Sequence, residues 1–315
     1  MKRSFWMKSA VAAAVTLGSA ADAQTAAGVA LRIGTPGQEG NAGVYYAQDG
    51  GYFKRAGLDV EITTLRAGSG GGVVAAVAGG SLDIGEADLI SLSAAHQRGI
   101  KVSLLAPSAT WSTAQPTAGL IVVKGSPIHT GKDLEGKAVG VPSLGGISRI
   151  ATTAWIEKTG GDVTKVKFVE IPSGEMSAAV GRGTIDAAEA TEPTLSNAVA
   201  DGRAVVGPMY DALGNGFIET AWFASDDWVA KHPDLALKFA RAMRDAQRWA
   251  NANRADAATI FRKYSASLDL RVKATYGETL ELPKIQTMLD AAYKYHSIAQ
   301  PIAARDLISP AVGSL

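Results

Sequence analysis

Lys137-Ala-Val-Gly-Val-Pro-Ser-Leu-Gly-Gly-Ile-Ser-Arg-Ile-Ala-Thr-Thr-Ala-Trp155 holds a strand, a turn and a helix in nineteen residues. Ala138 to Val141 is a short apolar run that reads as a buried strand, and Pro142 ends it. Ser143 to Gly146 is a tight polar turn. From Ile147 the spacing is helical, with Ile147, Ile150, Ala151, Ala154 and Trp155 on one face. Ser143 or Ser148 is placed to cap this helix. Such a unit puts free backbone N–H groups at the carboxyl end of a strand, which suits a small anionic or polar ligand. Arg149 is the only cation beside the helix start and is the expected anchor if that ligand is an anion.

Read outward, the chain repeats the unit. Toward the N-terminus, Leu31 to Thr35 is a strand followed by a polar turn with Gln38 and Asn41. Leu58 to Leu65 alternates apolar and polar residues as a second strand. Gly68-Ser69-Gly-Gly-Gly72 opens a helix, and Ser81 to Glu86 is a turn with a third strand. Asp88 caps a helix over Leu89 to Arg98, and the strand Val102 to Ala106 runs into a turn with Thr110 and Trp111. Toward the C-terminus, strands are expected at Leu120 to Lys124, Val166 to Ile171, Ile185 to Ala190 (ending at Glu192-Pro193) and Ala204 to Val206. A strand from Ile218 to Ser225 carries Trp222. The helix-rich remainder is expected to cover the first sheet, with Leu235, Phe239, Ala242, Met243, Ala246 and Trp249 as an amphipathic stripe.

Two motif matches fail on context. Gly68 to Gly72 approaches a dinucleotide fingerprint, but Val73 stands where the third glycine belongs. Gly131-Lys-Asp-Leu-Glu-Gly-Lys137 approaches a phosphate loop, but Ala138 replaces its Ser/Thr and Lys137 leads into a strand.

Bulk properties narrow the function. The 315 residues, 47% apolar, suffice for one large or two modest α/β domains. A net charge of +1 without a basic stripe argues against nucleic acid as a partner. The absence of cysteine excludes disulfides, thiolate metal sites and cysteine nucleophiles. His96, His129, His232 and His296 are scattered and form no metal-ligand pair, so neither metal nor cofactor is expected. Residues 1–23 read as a signal peptide: Lys2, Arg3 and Lys8 precede a small apolar run, and Ala21-Asp22-Ala23 is the cleavage site. Cleavage leaves 28 basic and 29 acidic residues, a net charge near −1. No cysteine follows for lipid attachment, so the expected destination is the periplasm.

Gly51-Tyr-Phe-Lys-Arg-Ala-Gly-Leu-Asp-Val60 resembles a signature near the start of a group of periplasmic solute-binding proteins. Gly79 to Gly85, Lys132 to Val141, and Gly183 to Ala190 followed by Glu192-Pro193 fit the same group in order. Its members serve ABC importers of the nitrate, taurine, alkanesulfonate and thiamine-precursor type, the NMT1/THI5-like family. The resemblance implies an α/β, type II periplasmic binding fold with two lobes, central mixed sheets and a ligand cleft between them. The expected division is residues 28–115 plus 217–315 as lobe one and 116–216 as lobe two. It further implies a non-catalytic monomer that hands a small molecule to a permease and its ATPase. An enzyme resembling the thiamine-pyrimidine synthases is the alternative, although the iron motif of those enzymes is cysteine-rich. A TRAP-type binding protein is a further one.

The expected ligand contacts are Gln38, Asn41, Ser69, Asp88, Thr110, Ser143, Ser148 and Glu192 in turns after strands. Trp111 and Trp222 are candidates to stack on a planar ligand. Sulfonates, carboxylates and uncharged heterocycles all remain open, while Asp88 and Glu192 permit an amine or ring N–H donor.

Overall fold

The computed structural model describes residues 30–65, 70–265 and 272–313. The signal segment and Ser69 lie outside them. Strands β1 (Leu31–Thr35), β2 (Val60–Thr64), β3 (Ile84–Asp88) and β4 (Val102–Pro107) alternate with helices α1 (Gly43–Asp49), α2 (Tyr52–Arg55), α3 (Gly70–Ala78) and α4 (Leu89–Gln97). After the two-residue strand β5 (Ala109–Thr110) comes a second series. It comprises β6 (Ala118–Val123), β7 (Ala138–Val141), α5 (Ile147–Lys158), β8 (Lys167–Glu170), α6 (Ser173–Gly181), β9 (Ala187–Thr191), α7 (Thr194–Ala200) and β10 (Arg203–Gly207). The return path adds β11 (Thr220–Ser225), α8 (Asp226–Lys231), α9 (Pro233–Ala252), α10 (Arg254–Phe261), β12 (Thr275–Tyr276) and α11 (Leu282–Lys294).

The long strands form two five-stranded mixed sheets, ordered β2-β1-β3-β11-β4 and β10-β6-β9-β7-β8. In the first, β11 runs antiparallel between β3 and β4. Its central place explains its sequence: Trp222 and Phe223 point to opposite faces and both are fully buried. Trp222 packs edge-on against Phe239 of α9, while Phe223 joins the cluster that includes Val73 and Val77 of α3. Helices α1, α2 and α9 therefore cover one face of this sheet, and α3, α4 and α11 the other. The α9 stripe is core, with Phe239, Ala242, Met243 and Ala246 buried.

The halves of the chain repeat each other closely. Leu82-Asp-Ile-Gly-Glu-Ala-Asp88 leads into and forms β3, and Ile185-Asp-Ala-Ala-Glu-Ala-Thr191 does the same for β9. Each strand runs parallel to a partner, β1 or β7, that carries a glycine. A Cβ at Gly34 would lie 2.3 Å from Leu82 Cδ1, and one at Gly140 would lie 2.7 Å from Ile185 Cδ1. The glycines thus admit the apolar residue that opens each repeat. The next residue pins the partner strand: Asp83 accepts from Arg32 N at 2.9 Å, and Asp186 from Ala138 N at 2.8 Å.

The chain crosses between the sheets twice, around 111–117 and 208–219. The two passages are bonded to each other. Trp111 N donates to Phe217 O at 2.9 Å, and Gly216 N to Trp111 O at 3.1 Å.

Candidate functional site

Strands β1, β3, β7 and β9 all present their carboxyl ends to one small cavity of about 80 Å³. β1 supplies Pro36 and Gln38 from its following turn, β3 supplies Glu86 and Asp88, β7 is followed by Pro142 and Ser143, and β9 ends at Thr191. Because β11 is antiparallel, its first residue, Thr220, reaches the same place. Tyr210 and the first turn of α5 close the ring.

Of the residues read from the sequence, Gln38, Asn41, Asp88, Ser143 and Ser148 line this cavity. Gln38 Nε2 donates to Thr191 Oγ1 at 2.9 Å, so this side chain also spans the two halves. Thr110 does not line it, because its backbone pairs with Thr275 and bridges to Ile218. Trp111 is buried against Tyr210 and Phe217, and its Nε1 donates to Asp211 at 2.9 Å. Trp222 is core. Glu192 is buried behind the rim, where Oε1 takes Lys273 Nζ at 2.5 Å and Ser196 Oγ at 2.9 Å. Arg149 turns away from the cavity, its guanidinium carbon 3.7 Å from the centre of the Phe168 ring. An anion in this cavity therefore has no cation from α5 to meet.

The start of α5 is also occupied. Its N-cap is Gly146, and neither Ser143 nor Ser148 caps it. Instead, the Asp88 carboxylate reaches across from β3 and accepts from Ile147 N at 3.2 Å. The same carboxylate accepts from Ser91 N at 2.9 Å and Ser91 Oγ at 2.7 Å, which caps α4. One side chain thus satisfies the N-termini of two helices in different halves, and the protein's own carboxylate fills the place expected for an external anion.

Lining Glu86 has two buried carboxyl neighbours, Glu189 and Glu219. Glu86, Glu189 and Glu219 are buried, and none has an ion pair among the described residues. Burial pushes Glu86 up to about 8, with Thr220, Asn41 and Ser108 nearby as partial relief. Its Oε1 has no hydrogen-bond partner. Burial likewise pushes Glu189 up to about 7, against hydrogen bonding from Ser148 and Tyr210. Glu219 rises to about 8 through burial and the charges of Glu189 and Glu86. Asp88 is raised too, by burial, despite its hydrogen bonds. An N–H donor or a cation entering the cavity would relieve this cluster, whereas an anion would add to it.

The turn-by-turn reading missed Glu86, Glu189, Thr191, Tyr210 and Thr220. A signal for the two glutamates was present: each is a carboxylate at the same register of an otherwise apolar strand repeat, L-D-I-G-E-A and I-D-A-A-E-A. Charged groups in such runs are costly to bury and mark a functional position.

Paired mixed sheets, two crossing passages and a polar cavity at the strands' carboxyl ends define a periplasmic-binding-protein fold. The aliphatic sulphonate binding protein of Escherichia coli superposes with a TM-score of 0.69 at 20% identity, over 89% of this chain and 92% of that one. The chain belongs to the NMT1/THI5-like family, whose profile matches residues 38–257. Among named relatives, a 4-amino-5-hydroxymethyl-2-methylpyrimidine phosphate synthase of Schizosaccharomyces pombe is 28% identical over 216 residues, 64% of this chain. The taurine-binding periplasmic protein of Escherichia coli is 28% identical over 201 residues, 63% of this chain. These matches span about 60% of the length of each relative.

Proposed function

We propose that the chain is the substrate-capturing component of an ABC importer, working in the periplasm with a permease and its ATPase. In this reading, residues 28–115 plus 217–315 and residues 116–216 are two lobes that close on one small molecule by bending at the paired passages. The ligand presents N–H donors to the cavity, as an amine or an amino-substituted heterocycle. The observation that carries this is Asp88. Its carboxylate already sits on the α5 N-terminus, with Glu86 and Glu189 buried nearby and no cation in the lining. An aminopyrimidine, the ring in the name of the Schizosaccharomyces relative, pairs an amino donor with ring acceptors. A carboxyl group poised between its two protonation states matches that pattern.

Calorimetry with 4-aminopyrimidines, alkylamines and ethanesulfonate tests the assignment. Amino compounds are expected to saturate the cleft, and Glu86→Gln to weaken them about tenfold, the equivalent of 1.4 kcal/mol. Saturation by ethanesulfonate alone, with no amino compound binding, would overturn it. The synthase-named relatives make catalysis the competing reading. Conversion of a bound amino compound, followed by mass spectrometry, would favour that reading over capture.

A further inference from the structure

On the other side of the Ser143–Gly146 turn lies a second cavity of about 640 Å³, lined by residues that include Ser91, Arg98, Ser143, Arg149, His296 and Ser297. Its two guanidinium groups come from different halves of the fold, Arg98 just past the end of α4 and Arg149 in the first turn of α5. Neither forms an ion pair among the described residues. Arg149 is half-buried, stacked on Phe168 and bonded to the Thr153 hydroxyl. The nearest carboxylate along β8 is Glu170, two residues on from Phe168, and it accepts from Leu144 N at 3.0 Å. Desolvation alone acts on the Arg149 guanidinium, and it lowers its pKa. A stacked guanidinium drawn partly out of water, with N–H groups and no anion, fits a planar or tetrahedral oxyanion.

The groove adjoins the acidic cavity. Ser143 lines both, and Ser91 lines the groove while holding Asp88, which lines the cavity. A Cβ built on Gly146 would stand 3.4 Å from Asp88 Oδ2 and 3.6 Å from Ser91 Oγ, so this glycine sits in the partition. Half of the partition, Asp88 and Ser91, belongs to the first sheet's side, and the other half, Ser143 and Gly146, to the second's. The two chambers would merge when these halves separate.

We propose that the Arg98–Arg149 groove is an oxyanion subsite contiguous with the cleft, so that the transported molecule carries an N–H-donating head and an anionic arm. This rests on the capture reading above. It assigns the head to Glu86 and Asp88 and the arm to the two arginines.

The test uses aminoalkylphosphonates of two to six carbons, the matching alkylamines and the matching alkylphosphonates, titrated into the full chain by calorimetry. At one arm length the aminophosphonate is expected to bind at least tenfold more tightly than its alkylamine. Arg149→Met should cut that ratio at least tenfold, and Arg98→Gln about threefold. A ratio is read because a general loss of folding does not move it. Arg98 is exposed, so its variant carries the test if Arg149→Met melts early. Equal affinity of amines and aminophosphonates at every length, or a ratio that survives both substitutions, would overturn the subsite and leave the cleft assignment standing. Binding of alkylphosphonates that is lost in Arg149→Met, with no binding of any amine, would keep the oxyanion groove and overturn the cleft assignment.

Discussion

Glu86 concentrates the chemistry of the site in one residue. It is 1% exposed, its Oε1 lacks a partner, and burial holds its pKa at about 8 against an ordinary 4.5. Between those values the folded chain binds more protons than the unfolded one, so stability falls as pH rises. Glu39 and Glu189, each at about 7, and Glu219, at about 8, act in the same direction. Asp49 and Asp83 have lowered pKa values, so their contribution is complete above their ordinary 3.8 and does not offset the loss. The ligand-free protein should therefore melt at a lower temperature at pH 8.5 than at pH 5. Glu86→Gln should gain about 1–3 kcal/mol at pH 8.5, the usual cost of a poorly satisfied buried polar group, and little at pH 5, where the native side chain is already neutral. Parallel melting curves for the two proteins across this range would remove Glu86 as the titrating group. At this scale the sequence was partly legible. Gln38, Asn41 and Asp88 follow or end strands and do line the cavity. The stacking of Arg149 on Phe168 was not legible, because nothing in the local spacing tells that this ring lies beside it.

The helix starts show what one carboxylate does for two elements. A β3 residue followed by an apolar helical run is readable as an N-cap, and Asp88 caps α4 as that pattern expects. The second bond, to Ile147 N, links residues 59 positions apart and depends on how the halves approach, which no local pattern encodes. The strand order was hidden for the same reason: β11 reads as a strand, but its insertion between β3 and β4 is a long-range choice. The short β5–β12 ribbon, two residues a side, is too brief for any periodicity. Asp88→Ala should cost about 0.5–2 kcal/mol from the lost cap, measured by denaturant unfolding. Asp88→Asn keeps an acceptor for Ser91 N and should recover most of that loss, yet remain weakened toward amines because the charge is gone. An Asp88→Asn protein that binds alkylamines as tightly as the native chain would place the charge contribution elsewhere in the cluster.

Across the whole molecule, a few polar ties hold the halves together around the cavity. Gln38 reaches Thr191, Glu39 N donates to Glu192 O at 3.1 Å, and Lys273 Nζ meets Glu192 Oε1 at 2.5 Å and Ser196 Oγ at 2.9 Å. With the Asp88–Ile147 bond, these ties join the two halves around the cavity. Each such bond contributes about 0.5–1.5 kcal/mol net, more where a charge is involved. For the proposed closing motion, that is enough to set an open–closed balance and too little to lock it, since a ligand's differential affinity is usually of similar size. Removing Lys273 alone would leave Glu192 buried and short of a counter-charge, a separate penalty. The informative variant is therefore Lys273→Met with Glu192→Gln. It keeps an acceptor for Ser196 N and the apolar stem of the lysine. In solution scattering this double variant should be more expanded than the native chain without ligand, and both should reach the same compact form at saturation. Its affinity should fall by roughly tenfold, because 1.4 kcal/mol of lost closure energy is one decade. Scattering curves that coincide without ligand, together with unchanged affinity, would mean that the ties do not govern closure. The balance would then rest on the backbone of the two passages at Trp111 and Phe217.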